Sequence, residues 1–220
     1  MLGAVAGGCT GYLIQADRKA TALPPLSQPT LPQAKGPAPK PLSAARDRQV
    51  RMDGDLRELL LDKPRGAKDV DGLKGNDGWL PMYEYANYFD KPVRAFGALL
   101  DDEFRRAVTT GWEVGNSYTV EIQLAQFRQE EDMVVDHRVE TSERWADNES
   151  DTDSWPVPGT ENGMVYVHRT PEEKPGYLPL YGAEAYAWRG DTVMGVWVYS
   201  SKPIAKATIM DLAKRQMERL

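Results

Sequence analysis

Carboxylates and histidines are the side chains of this sequence that could do chemistry, and their spacing limits what that chemistry is. Asp101-Asp102-Glu103 sets three carboxylates in a row, a group that could serve acid–base hydrolysis if the fold brought it to the start of a strand. A solvent-facing turn is the simpler expectation for it. Asp147, Glu149, Asp151 and Asp153 alternate along the chain, and hard oxygen donors so spaced can wrap a calcium ion. The run departs from an EF-hand, because Thr152 stands where the sharp-turn glycine belongs and Pro158 replaces the closing glutamate. A solvated acidic loop is therefore expected. His137 adjoins Asp136, but neighbours on a helix point apart, and a surface histidine follows. His168 is the other of the two histidines, so a three-histidine zinc site is impossible. Neither a glycine-rich phosphate loop nor a nucleophile elbow occurs. These patterns predict no catalytic residue, no metal site, no cofactor and no enzymatic activity.

Cys9 carries a different chemistry. As the one cysteine it excludes an internal disulfide and a cysteine-built metal or redox site. The apolar run from Leu2 ends in Gly7 and Gly8, small residues of the kind accepted before a lipidated cysteine, so residues 1–9 read as a truncated lipoprotein-type signal with Cys9 as the lipidation site. Ala6 stands where leucine is usual and no Lys or Arg precedes the run, which is also shorter than the ~7–15 apolar residues of an ordinary signal core. A translation start upstream of Met1 is expected to restore a charged leader. The expected location is the outer face of the cell membrane, through the lipid anchor.

Residues 10–52 follow as a tether. Seven basic residues (Arg18, Lys19, Lys35, Lys40, Arg46, Arg48 and Arg51) face only Asp17 and Asp47 between 17 and 51. Prolines from Pro24 to Pro41 remove main-chain donors and favour extended polyproline geometry, so this stretch is expected to be disordered and to act as a spacer. Its charge would draw it to anionic headgroups.

The readable periodicities begin at Asp53, and residues 53–220 are expected to form one domain. Asp53 and Asp55 precede Leu56, Leu59 and Leu60, a short helix stopped near Pro64, and a loop runs to Gly78. Pro81 and Pro92 open two small helices. Alternation from Phe104 to Trp112, turn chemistry at Gly115-Asn116 and alternation from Tyr118 to Leu124 predict a β-hairpin. An acidic helix follows, with Val135, Val139 and Trp145 inward and Glu130, Glu131 and Asp132 at its positive end. Asp147 to Gly159 reads as loop, and 164–168, 182–188 and 192–199 as strands. A helix from about Pro203 buries Ile209, Leu212, Ala213, Met217 and Leu220. The order around Leu99–Phe104 and around Leu180–Tyr186 repeats, which predicts an internal duplication of strand–strand–helix units. The fold class expected is α+β, an antiparallel sheet of two hairpins plus a strand, with helices packed on one face.

Asp55-Leu56-Arg57-Glu58-Leu59-Leu60-Leu61, the Tyr118 to Phe127 strand, Val157-Pro158-Gly159-Thr160 and the final Leu212 to Leu220 segment resemble uncharacterised secreted proteins and lipoproteins of actinobacteria, of streptomycete type. More distantly, the hairpin and terminal helix look like extracytoplasmic sensor domains of actinobacterial kinases. The resemblance covers about residues 53–220. It implies a location and a fold type and transfers no functional residue.

Residues 129–153 hold ten acidic side chains against Arg138 and Arg144, a field that repels phosphate and excludes nucleic acid as a partner. Six tryptophans and ten tyrosines suit recognition, since these side chains join area to a polar handle. Trp155, in the proline-flanked acidic loop, is the expected partner contact. Alternation is expected to put Trp188 and Trp197 on opposite sides of their strands. The expected function is a membrane-tethered extracytoplasmic binding or sensor-like domain for an envelope component, peptide or protein. The alternatives are a carboxylate-based hydrolase and a soluble intracellular domain.

Overall fold

The computed structural model describes residues 52–70, 72, 73, 75, 77–115, 117–128 and 134–220. Cys9, nearly all of the tether and the acidic trio Glu130, Glu131 and Asp132 lie outside the described residues. Period-two alternation becomes an antiparallel sheet of eight strands, named β1 (Lys68–Asp69), β2 (Trp79–Leu80), β3 (Phe104–Val114), β4 (Tyr118–Phe127), β5 (Thr152–Pro156), β6 (Met164–His168), β7 (Tyr181–Arg189) and β8 (Thr192–Ser200). Their order is β1-β3-β4-β8-β7-β6-β5, with β2 also on β3. Four helices accompany them among the described residues: α1 (Met82–Ala86), α2 (Pro92–Asp101), α3 (Val134–Asp147) and α4 (Lys206–Arg219). The α+β class and the antiparallel sheet match the expectation from sequence.

The two hairpins, β3–β4 and β7–β8, lie side by side because β4 pairs with β8, matching Val120 to Val198, Ile122 to Val196 and Leu124 to Met194. These residues share one face, where they meet Ala183, Ala185, Val165 and Trp112 from the flanking strands and Ile209, Ala213 and Met217 from α4. The other face buries Ala107, Phe127, Trp188 and Val193 beneath Tyr85 and Leu99 of α1 and α2 and Val135 and Val139 of α3. Helices therefore cover both faces rather than one, which corrects the layering expected from sequence. The helix after each hairpin also sits on the opposite side. A two-fold axis normal to the sheet between β4 and β8 would keep both helices on one side, so the expected repeat does not extend to the helices.

A bulge between Phe104 and Arg106 turns Phe104 out of step with Val108 and Trp112, so that it joins Tyr85 and Phe127 on the α3 side. Uniform alternation across that strand does not anticipate this. The loop expected up to Gly78 contains β1, and β2 follows it directly. Asp147 to Gly159, also expected to be loop, contains β5, which pairs with β6 through Trp155 and Val165. β1 has only two residues and shows no period, and Pro156 and Pro158 make the stretch that holds β5 read as loop.

The start of the fold is pinned by a buried polar node. Asp191, at the β7–β8 turn, accepts hydrogen bonds from the Met52 amide (3.2 Å), from Gln126 Nε2 (2.8 Å) and from Thr192 Oγ1 (3.0 Å). Gln126 Nε2 also donates to the Met52 carbonyl, and Arg106 donates to the Met52 and Gly54 carbonyls. Met52, assigned to the tether from sequence, is buried here and belongs to the domain. At the other end Gln216 of α4 is fully buried, accepting from the Leu61 amide and donating to the Leu59 carbonyl. These bonds satisfy main-chain groups where the chain carries no strand partner.

Candidate binding surface

α3 covers only part of its face of the sheet. Beyond it, three adjacent strands set nine positions in rows: Thr119, Tyr199 and Gly182; then Glu121, Trp197 and Glu184; then Gln123, Gly195 and Tyr186. Strands lie about 4.8 Å apart, so each row brings together residues from β4, β8 and β7 that are distant in the chain. Trp197 is the centre. A Cβ on Gly195 would meet the Trp197 ring at 2.3 Å, which means the indole lies along its own strand over that glycine. Only the missing side chain allows it.

Hydrogen bonds fix the groups around the indole. Trp197 Nε1 donates to the Tyr186 hydroxyl at 3.2 Å, the two rings meet edge to face, and the Tyr186 hydroxyl donates in turn to Glu184. On the other side Glu121 accepts from the Tyr88 hydroxyl at 2.6 Å and from Gln123 Nε2 at 2.9 Å. Tyr88 follows α1, so the helix that closes the apolar part of the face also delivers this donor. Burial, then the neighbouring carboxylates, hold the hydroxyls of Tyr88, Tyr186 and Tyr199 protonated far above the ordinary tyrosine range. They are donors at any physiological pH. Trp197 and Tyr186 are half-buried, and Tyr199 is 38% exposed.

His168, at the end of β6, extends the surface. Its Nε2 lies 3.0 Å from Glu184 Oε1, while Nδ1 lies 2.8 Å from Thr152 Oγ1 and 3.3 Å from Glu149. Burial alone would lower its pKa, but the hydrogen bond to Glu184 and the charges of Glu149 and Glu184 outweigh that and raise it above the ordinary 6.5. Glu149, His168 and Glu184 present ligand atoms within 4.8 Å of one another, a donor set that suits a divalent ion. Both imidazole nitrogens already face oxygen partners, however, so the ring is held by hydrogen bonds without a metal.

The residues singled out from sequence are dispersed. Of the acidic run, Glu149 turns to His168, Asp153 pairs with Arg169, and Asp151 accepts from Thr170. They do not converge on one point. Asp102 is ion-paired with Arg138 of α3 at 2.5 Å, and the three-carboxylate group sits at the end of α2 rather than in a cleft. His137 is exposed, with its amide bonded to the Asp136 carboxylate. Trp155 is half-buried on β5, on the α4 side, with the Lys206 ammonium 4.4 Å from its ring centre. The exposed tryptophan is Trp145 at 69%, which faces away from the sheet while Ala146 is buried. Trp188 and Trp197 share one face, because the two-residue turn Gly190-Asp191 pairs Arg189 with Thr192 and so sets even positions of β7 opposite odd positions of β8.

Sequence reasoning missed Glu121, Glu184 and Tyr199 as site residues. The available signal was Gly195 two residues before Trp197 in a β-branched strand, a place where close approach or a flat-lying ring explains the glycine.

A second patch lies under α3, where Glu140, Glu143 and Asp147, together with Arg144, Ser154, Met164 and Tyr166, line a shallow depression of about 470 Å³. Burial, with a smaller part from Glu140, pushes the Glu143 carboxyl up to about 7.

No family model matches the chain, and no curated protein matches it. A solved structure to which it is similar in part is the extracellular domain of PknH from Mycobacterium tuberculosis, at 14% identity over 56% of this chain and 68% of that chain, with a TM-score of 0.38. So partial a likeness carries no argument about function.

Proposed function

We propose that this protein is a non-catalytic, membrane-tethered extracytoplasmic domain that recognises a peptide, protein or envelope component through the open half of its sheet. The observation that carries the reading is the Trp197 indole laid over Gly195 and flanked in register by Glu121 and Glu184. A half-buried aromatic ring with fixed polar neighbours is an arrangement for contact, since it offers area at small entropic cost. Both flanking carboxylates accept hydrogen bonds from tyrosine, Glu121 from Tyr88 and Glu184 from Tyr186, which fixes their positions beside the ring. Tethering rests on the Gly7-Gly8-Cys9 sequence.

Cross-linking on intact cells tests the whole reading. Full-length protein made with its own upstream region should partition into detergent and carry a diacylated Cys9. It should also form a defined adduct that disappears in Trp197→Ala while Trp145→Ala retains it. An unmodified, water-phase protein would sink the tether. An adduct indifferent to Trp197 would sink the recognition surface.

A further inference from the structure

We infer that the open sheet face binds cationic side chains of a basic peptide, with the Trp197 ring as the π-face and Glu121 and Glu184 as the counter-charges. The inference rests on the recognition-surface reading above and adds the ligand class. Three observations select a cation. First, Glu121 and Glu184 stand on either side of Trp197 in one row, and the indole leans from that row over Gly195, so the ring face and both carboxylates belong to one patch. Ring quadrupole and carboxylates attract the same sign of charge, and both repel an anion. Second, the donors that stabilise Glu121 are neutral, the Tyr88 hydroxyl and the Gln123 amide. The charges acting on the Tyr199 hydroxyl are those of Glu121, Glu184 and Glu149, all negative. His168, where protonated, offsets one of them and leaves the other two carboxylates uncancelled. Third, a sheet face with rows of aromatic and acidic residues has the breadth of an extended chain, and successive side chains of a bound strand on one side repeat at about 6.8 Å, close to the row spacing beneath. A neutral sugar would use the ring but leave the carboxylates uncompensated.

The test follows the indole Nε1–H resonance of Trp197 in the full chain, assigned by its loss in Trp197→Phe, during titration with tetralysine, tetraarginine, tetraglutamate, choline and a chitin tetrasaccharide. Tetralysine and tetraarginine should shift the resonance, and Glu121→Gln should weaken them at least tenfold with an unchanged melting temperature. Raising the salt from 50 to 500 mM should weaken them too, and tetraglutamate should have no effect. Should Glu121→Gln not fold, the salt series and Tyr199→Ala carry the same comparison. A shift by the tetrasaccharide alone would overturn the cation assignment and leave the recognition surface standing. A shift by choline without the peptides would overturn the peptide as source. If none of the five probes moves Trp197, the cation assignment fails. The cell-surface cross-link then decides the recognition surface separately, through its dependence on Trp197.

Discussion

The two faces of the sheet are built by the same strands and do opposite things. On the α4 side, Val120, Ile122, Val196, Val198 and Ala185 form a dry aliphatic layer closed by Ile209, Ala213 and Met217. On the opposite side, Phe127, Trp188 and Val193 are closed over by α1, α2 and α3, and the adjoining rows carry an exposed Tyr199 with Glu121, Trp197 and Glu184 partly buried beside it. One-residue alternation is enough to keep the two chemistries apart. A closed face contributes stability through buried area, whereas the open rows give up burial and hold their side chains by hydrogen bonds instead. Stability and the proposed recognition can therefore be changed independently.

The sharpest break of that contrast is Ile209→Ala. Ile209 is fully buried between α4 and the sheet, and the cavity should cost about 2–5 kcal/mol. Urea unfolding would read it, and a loss below about 1 kcal/mol would mean the α4 side is not the stabilising one. Next is Gln216→Leu, which leaves the Leu61 amide and Leu59 carbonyl without their partner and should cost about 1–3 kcal/mol. Circular dichroism melts would check it.

On the other face the effects depend on pH. His168 has its pKa raised by the fold, so its contribution is complete below the ordinary value of 6.5 and is lost as pH rises through the higher folded value. His168→Gln should therefore lower the melting temperature more at pH 5.5 than at pH 9. Equal losses would show that the imidazole acts by shape alone. Glu143 is also raised, from 4.5 to about 7, so ionising it in the folded state removes stability as pH climbs through that interval. Glu143→Gln should stabilise the protein by about 1 kcal/mol at pH 8, allowing for solvent screening of a half-exposed group, and by nothing at pH 4. The smallest effect belongs to Tyr199→Ala, within about 0.5 kcal/mol in a thermal melt because the ring is partly exposed, although it should weaken basic-peptide binding.

Much of the architecture was legible because it is periodic. The hairpin read over 104–112 and 118–124, strand 164–168 and the inner stripe Ile209, Leu212, Ala213 and Met217 all follow from alternation or helical spacing, and the structure extends the hairpin strands by two and three residues. The inner stripe of α3 was half legible. Val135 and Val139 are buried, but Trp145 lies one position away from the buried Ala146, and hydrophobicity alone favours the larger residue. The site was scarcely legible. Glu121, Glu184 and Trp197 are each ordinary strand residues, and nothing local marks two acidic side chains 63 positions apart as neighbours of one ring.

By itself the sequence determined the class of the fold and the residues able to line a core, since both follow from the local period of apolar and polar side chains. The tertiary structure alone decided that β4 pairs with β8, that α3 and α4 take opposite faces, and that Trp197 lies between two carboxylates. Inter-strand register and helix side are settled by contacts among distant residues, whose loop-closure cost and packing gain no short stretch of chain contains.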